Sequence, residues 1–356
     1  MYSNNLVITR TVYHNRVTGE IYDNPFANRV FKEYKDIFGK VDFGRVDLNL
    51  HNNLEFEPRV RHSVRGKYVF VVHQFLGYDG KPEPNIGTMA LFVTLDALKR
   101  AGAGKIMPVI PFYPYQRSDQ KHKPRTAISA KMMAKHISLD SETIYTVDMH
   151  SGPQEGFYED PVIHMKALPL FVDIFVDKEG TWVPTSPDVG GVPRVRSMRN
   201  RMNNRLGYDK VPGIVILDKY RPADGEAEIV NIIGKEHLKG NNAVELDDMV
   251  DTAGTLTEGA KALVERGKVD KVNACVTHPI LSNYKDKGSG EWREAVDRIN
   301  ESPIERIYVT DSIPLGDDFF RANPKFQEVS LAPMTAKTIN RVASHGSVSE
   351  LYEDGL

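Results

Sequence analysis

Short runs rich in Val, Ile and Tyr alternate along the chain with amphipathic stretches of helical period. Extended segments are predicted at 68–73, 106–111, 143–147, 213–217, 243–246, 272–277 and 306–309. Between them, 88–100 and 255–266 read as helices with one buried face. In the second, the apolar stripe is Leu256, Ala260, Leu263 and Val264. Strands separated by helices in this way predict parallel sheets covered on both faces. Turn formers around Asn15 and Gly19 predict a hairpin within 10–26, and 77–84 and 284–290 read as loops.

Two of these helix–strand units resemble each other. Gly87-Thr88 opens a helix that passes through Ala97-Leu98-Lys99-Arg100-Ala101-Gly102 into the strand at 105–111. Gly254-Thr255 opens another that passes through Ala262-Leu263-Val264-Glu265-Arg266-Gly267 into 271–279. A duplicated α/β unit accounts for the likeness, and so does chance similarity between any two such units. At 356 residues the chain is comfortable for two domains, with a boundary expected near Leu168-Pro169, giving 1–167 and 168–356.

Composition narrows the classes. Hydrophobic and charged fractions of 40% and 26% are those of a soluble globular protein. A net charge of −2 gives no general attraction for nucleic acid or an anionic membrane. No 18-residue apolar run occurs, and Met1-Tyr2-Ser3-Asn4-Asn5 has no leader-like pattern, so a cytoplasmic location is expected. The single cysteine, Cys275, excludes an intramolecular disulfide and a cysteine-based metal cluster. Its setting, Val272-Asn273-Ala274-Cys275-Val276, reads as a buried thiol.

The strongest chemical signal is Leu246-Asp247-Asp248-Met249-Val250-Asp251-Thr252-Ala253-Gly254-Thr255-Leu256. A strand ends in two carboxylates, a turn of small residues follows, and a helix begins. Backbone N–H groups at such a helix start seat a phosphate, and bulky side chains would hold its oxygens away. Asp247 and Asp248 can then accept hydrogen bonds from sugar hydroxyls, which points to a sugar phosphate. The alternative is an ordinary strand–turn–helix corner with Asp251 as its N-cap.

Other segments are weaker alone. Asp148-Met149-His150 lies just past a predicted strand, where open parallel sheets bind ligands, and both side chains could approach one divalent cation. A structural histidine is the plainer alternative. Ser186-Pro187-Asp188-Val189-Gly190-Gly191 repeats the theme of an acid before small residues, although a plain turn also has this composition. Leu217-Asp218-Lys219-Tyr220-Arg221-Pro222 carries two cations beyond a strand. Such a loop can close on a polyphosphate, or simply be solvated. Tyr113-Pro114-Tyr115-Gln116-Arg117-Ser118-Asp119 could stack on a base and pair with phosphates, or form a surface loop with partly buried tyrosines. Gly102-Ala103-Gly104-Lys105-Ile106 is not a P-loop, because no Ser or Thr follows the lysine and a strand follows, not a helix.

Taken in order, these segments resemble the ribose-phosphate pyrophosphokinase (PRPP synthetase) family, collinearly from Val64-Arg65-Gly66 to Ser312-Ile313-Pro314-Leu315. The likeness includes Ile128-Ser129-Ala130-Lys131, Asn231-Ile232-Ile233-Gly234 and Thr277-His278-Pro279-Ile280. It implies an α/β protein of two tandem doubly wound parallel-sheet domains of the type I phosphoribosyltransferase-like fold. ATP and metal would belong to 1–167 and ribose 5-phosphate to 168–356. The implied reaction transfers the β,γ-diphosphoryl group of ATP to the anomeric hydroxyl of ribose 5-phosphate, giving PRPP and AMP, with magnesium as cofactor. By the same resemblance Lys219 and Arg221 are catalytic; Arg117, Asp119, Glu55 and His150 bind ATP; and His150 and Asp188 bind metal. Asp247, Asp248, Asp251, Thr252, Ala253, Gly254 and Thr255 bind ribose 5-phosphate. The family further implies a dimer-based homo-oligomer, up to a hexamer, with neither nucleic acid nor membrane as a partner.

Several positions depart from the family pattern. His51-Asn52-Asn53-Leu54-Glu55 stands where Phe-Ser-Asp-Gly-Glu is usual on a hairpin that completes a neighbour's adenine pocket, and only Glu55 agrees. Ser118, His122, Glu155 and Ile163 also differ, and 1–50, 77–84 and 284–294 fit the pattern poorly. These changes bear on base recognition and control rather than on metal and ribose chemistry. Two rivals remain at this stage. One is a PRPP-using phosphoribosyltransferase, which predicts a single domain with a small hood. The other is a non-catalytic PRPP-synthetase-like regulatory subunit, which predicts loss of the catalytic or acidic loop.

Overall fold

The computed structural model describes residues 6–15, 18–121, 123–207, 209–220, 228–285 and 291–353, with Lys219, Tyr220, 228–230 and Glu353 described by backbone alone. The chain divides into two compact units. Met1–Lys166, Ser312–Pro314 and Ser330–Leu356 form the first, and Ala167–Asp311 with Leu315–Val329 form the second.

The first unit runs β1 (Leu6–Asn15), β2 (Ile21–Asp23), α1 (Pro25–Phe38), β3 (Asp42–Leu50), β4 (Phe56–Val60), β5 (Tyr68–Val72), α2 (Pro84–Arg100), β6 (Lys105–Ile110), α3 (Ser129–Ser138), β7 (Ile144–Val147) and β8 (Val162–Met165). Its sheet has the order β4-β3-β1-β5-β6-β7-β8. The expected hairpin is present, with β2 antiparallel to β1 and Tyr13 opposite Tyr22.

The second unit runs α4 (Leu168–Val176), β9 (Trp182–Ser186), α5 (Val192–Leu206), β10 (Val215–Tyr220), β11 (Glu228–Ile233), β12 (Asn242–Val250), α6 (Gly254–Glu265), β13 (Val272–Pro279), β14 (Tyr284–Lys285), β15 (Trp292–Arg293), α7 (Ala295–Asn300), β16 (Ile304–Thr310), α8 (Asp317–Ala322) and β17 (Phe326–Val329). Its main sheet has the order β11-β10-β9-β12-β13-β16-β17. Counted in order of appearance within each unit, with the β2 hairpin and the β14–β15 ladder set aside, the two orders are identical. Along these orders each sheet is parallel except at one edge, where β4 pairs antiparallel with β3 and β11 with β10; β2 adds a second antiparallel pairing, on β1. The suspected repeat is therefore a repeat of whole sheets. The α2–β6 and α6–β13 units occupy equivalent places in them.

The central strands explain why they sit where they do. Val69–Val72 of β5 and all of β13 are buried, as strands covered on both faces must be. Cys275 is fully buried within β13, as its apolar setting predicted. Among the described residues, no helix is long and apolar enough to cross a membrane.

The last helix of each half is exchanged. The chain leaves β8 into α4, whose Phe171, Val172 and Phe175 are buried in the second unit. There α4 packs on α5, and Phe175 meets Trp182 and Tyr308 edge-on at centroid distances of 5.3 and 5.6 Å. The chain leaves β17 into α9 (Ala332–Ala343), which returns to the first unit and packs on α1, followed by the short α10 (Glu350–Glu353). Tyr34 of α1 donates to Asn340 Oδ1 of α9 at 3.1 Å. The division therefore departs from the expected 168–356 domain: Ser330–Leu356 groups with the first unit, where α9 packs on α1.

Candidate active site

In the second unit the acidic segment lies at the end of the central strand β12. The strand runs to Val250 rather than stopping at Leu246, because its parallel ladder with β13 continues through Met249 opposite His278 to Val250 opposite Pro279. Both carboxylates lean on one cation. Arg194 of α5 places a guanidinium nitrogen 3.6 Å from Asp247 Oδ1 and another 3.2 Å from Asp248 Oδ1. Burial first, and the neighbouring Asp248 carboxylate second, push the Asp247 carboxyl well above the usual carboxylate range, while Arg194 pulls it back.

The turn after β12 leads directly into α6. Ala253 holds the N-cap position at φ 60, a left-handed conformation unusual for a residue with a Cβ, and its own side chain makes no capping hydrogen bond. Asp251 is therefore not the N-cap that the plainer sequence reading proposed. A helix start directs backbone N–H groups outward, and the macrodipole favours an anion there. The helix lies close to the sheet. A Cβ on Gly259 would stand 2.1 Å from Glu245 Oε1 and 2.9 Å from Leu217 Cδ1.

Asp188 follows β9 in the same unit. Its Oδ1 accepts from the Gly191 N–H at 3.0 Å, and its carbonyl accepts from Ser186 Oγ at 2.6 Å. A Cβ on Gly191 would come within 2.5 Å of that Ser186 oxygen, so the tight turn that presents Asp188 depends on glycine. The backbone of Lys219 pairs with Ile229 across the β10–β11 ladder, where the register shifts between Asp218 and Lys219. The Lys219 side chain and the whole of Arg221 lie outside the described residues.

In the first unit two strand-end segments are tied together. Gln116 Oε1 accepts from the His150 N–H at 2.8 Å, and Gln154 Nε2 donates to the Gln116 carbonyl at 2.7 Å. Ser151 Oγ donates to Asp119 Oδ2 at 2.6 Å. Gln116 and Gln154 are buried, whereas Arg117 and His150 are exposed. The buried glutamines thus fix the backbone from which the two predicted ligand-binding side chains project. Asp148 and Tyr115, one in each segment, have φ of 36 and 63.

His164 of β8 supports the same turn. Its Nε2 accepts from the Met149 N–H at 2.9 Å, so the ring proton sits on Nδ1 and faces Glu155. Burial foremost, and then Lys166, keep its pKa below the ordinary histidine value. Glu155 is one of the departures from the family pattern, and its carboxylate contacts Nδ1 of this imidazole.

Glu55 is not part of that cluster. It lies at the tip of the β3–β4 hairpin, and β3 is three strand spacings from β6, about 14 Å. There Tyr78 donates to the Leu54 carbonyl at 3.1 Å and packs on Phe56 with centroids 5.6 Å apart. The divergent 77–84 segment thereby braces the divergent hairpin.

Sequence reasoning missed Arg194, Gln116, Gln154 and His164 as supporting residues. Arg194 carried a usable signal, because it follows Gly191-Val192-Pro193 in the first turn of a helix that an acidic turn introduces. The glutamines carried none, since a buried amide is read from its partners.

Two doubly wound sheets, with a carboxylate pair beside a helix N-terminus in one of them, define an α/β protein of the class that handles phosphoribosyl groups. Residues 18–139 match the N-terminal domain of ribose phosphate pyrophosphokinase, and residues 217–353 match the phosphoribosyl synthetase-associated domain. A ribose-phosphate pyrophosphokinase of Listeria ivanovii is 37% identical over 316 residues, covering 88% of this chain and 91% of the relative. One from Thermosipho africanus is 38% identical over 304 residues, covering 84% and 86%. The crystal structure of phosphoribosylpyrophosphate synthetase from Mycobacterium smegmatis superposes with a TM-score of 0.76 at 28% identity, over 96% of this chain and 100% of that one. The chain belongs to the ribose-phosphate pyrophosphokinase family.

Proposed function

We propose that this protein transfers the β,γ-diphosphoryl group of ATP to the anomeric hydroxyl of ribose 5-phosphate, forming PRPP and releasing AMP. The observation that carries the reading is the Asp247/Asp248 pair beside the N-terminus of α6, in a chain that spans its family relatives nearly end to end. The 5-phosphate would sit on the turn formed by Asp251, Thr252, Ala253, Gly254 and Thr255, and the ribose hydroxyls would donate to Asp247 and Asp248. Arg117, Asp119 and His150 would contact ATP, and Glu55 would serve the nucleotide through the hairpin tip.

The anomeric oxygen attacks the β-phosphorus in line, so the protein's task is to position two substrates and neutralise charge. Lys219 and Arg221 would supply that neutralisation. Magnesium suits the donors that these loops offer. Among the described residues no three His, Cys, Asp or Glu side chains form a metal cage, and magnesium needs few protein ligands when phosphates and waters supply the rest. His150 would offer it an imidazole nitrogen and Asp188 a carboxylate oxygen. When bound it would screen the phosphate charges. A cytoplasmic homo-oligomer fits the same reading.

A single-domain phosphoribosyltransferase does not fit two complete sheets. A non-catalytic subunit is disfavoured by the intact acidic segment and by Lys219 and Arg221. The test is to incubate the protein with ATP, ribose 5-phosphate and magnesium and to separate the products. Equimolar AMP and PRPP, each requiring ribose 5-phosphate, are expected. Folded protein that yields neither product overturns the reading.

A further inference from the structure

The turn before α6 is held from outside by a residue of α7. Arg298 Nη1 donates to the Thr252 carbonyl oxygen at 3.0 Å. A peptide group is planar, and no cis bond occurs among the described residues, so a carbonyl and the N–H that follows it point in opposite directions. Fixing the Thr252 oxygen on Arg298 therefore turns the Ala253 N–H away from Arg298. The approach is close: a Cβ on Gly254 would lie 2.9 Å from the same Nη1.

Arg298 is itself held by a ring. Its guanidinium carbon stands 3.5 Å from the centroid of Tyr284, which is buried. A cavity of about 300 Å³ opens beside the pair, lined also by Thr257, Glu258, Lys261, Arg293 and Glu301. The guanidinium thus has room to leave the carbonyl, and the ring face restricts it. The carboxylates in that cavity already have cations, with Lys261 2.9 Å from Glu258 and Arg293 paired to Glu301. Tyr284 begins the β14–β15 ladder, inside the 284–294 segment that departs from the family pattern.

We propose that Arg298, clamped on the face of Tyr284, is a positioning residue for ribose 5-phosphate: it sets the Thr252–Ala253 peptide so that the turn presents N–H groups to the 5-phosphate. This rests on reading 251–255 as the 5-phosphate seat.

The test compares Arg298→Met, Arg298→Lys, Tyr284→Leu and Tyr284→Phe by steady-state kinetics and by calorimetric titration with ribose 5-phosphate. Arg298→Met is expected to weaken ribose 5-phosphate binding about tenfold, the loss of one charge-assisted hydrogen bond. The KM for ATP stays unchanged and saturated turnover falls less than about threefold, because uniform binding is lost. Arg298→Lys keeps the charge but not the stacked plane and weakens binding as well. Tyr284→Leu costs about threefold, and Tyr284→Phe, which keeps the ring, recovers most of it. Wild-type affinity in folded Arg298→Met, or a parallel loss of both substrates, overturns the proposal. If Arg298→Met does not fold, Arg298→Lys and Tyr284→Leu decide by the same criteria. Asp251→Asn and Thr255→Val separate the two levels. If they bind ribose 5-phosphate normally, the seat itself is misread. If they lose it while Arg298→Met retains it, only the positioning role fails.

Discussion

Arg194 lies 3.2 Å from Asp248 and within 3.6 Å of Asp247, so one guanidinium balances two adjacent carboxylates at the end of β12. Both the cation and Asp248 are largely shielded, with side-chain exposures of 24% and 8%. Replacing Arg194 with Met leaves the two carboxylates facing each other without that charge. The variant is expected to lose about 2 kcal/mol of stability in denaturant titrations near neutral pH. Asp248→Asn in the same background should recover a good part of the loss. A cost below about 0.5 kcal/mol would reduce the contact to an ordinary surface ion pair.

Lys219→Ala should lower turnover by about a hundredfold or more, the scale of removing one group that stabilises developing charge. The KM for ribose 5-phosphate should stay within about threefold, because the lysine acts late and the seat is elsewhere. Initial rates at saturating substrates decide the point, and near-normal turnover removes the assignment.

Gln154 joins the His150 turn to the Arg117 segment from a fully buried position. Gln154→Leu takes away that bond to the Gln116 carbonyl, at a cost of about 1–3 kcal/mol. The KM for ATP should rise roughly tenfold while that for ribose 5-phosphate holds. Equal changes in both would mean that the link does not act locally.

His73 offers a pH signature unrelated to catalysis. Its ring is fully buried between Thr11 Oγ1 at 3.4 Å and the Gly87 carbonyl at 2.9 Å, and burial lowers its pKa to about 4. The unfolded chain binds the proton at higher pH than the folded one. The stabilisation is therefore complete above about pH 6.5 and declines as the pH falls towards 4. The decline attributable to this residue is roughly 3 kcal/mol. His73→Gln should be less stable at pH 7 yet show a flatter profile between pH 6.5 and 4, by chemical unfolding at several pH values. Parallel profiles would contradict the assignment.

The sequence carried the fold unevenly, for physical reasons. Strands buried on both faces, such as β5 and β13, announce themselves as continuous apolar runs. By contrast β1 carries Thr9, Arg10 and Thr11 in mid-strand, and β3 carries Asp47, so neither reads as core. In the folded unit Thr9, Thr11 and Asp47 are buried, and Asp47 is paired with Arg45, Arg61 and His14. The acidic segment was legible because small residues, carboxylates and a helix start fall within one short stretch. Arg194 and Gln154 act across the fold, and only folding brings them to their partners. The return of α9 was illegible for the same reason, since an amphipathic helix does not state which sheet its apolar stripe will meet.

That return fixes the order in which the molecule can be finished. During synthesis α4 emerges before any of the sheet it covers, and α1 waits for α9 until nearly all of the chain has been made. The first unit gains its last helix only at that point. A protein severed after Lys166 would leave the first fragment without α9, and the side of α1 that packs on that helix would face solvent.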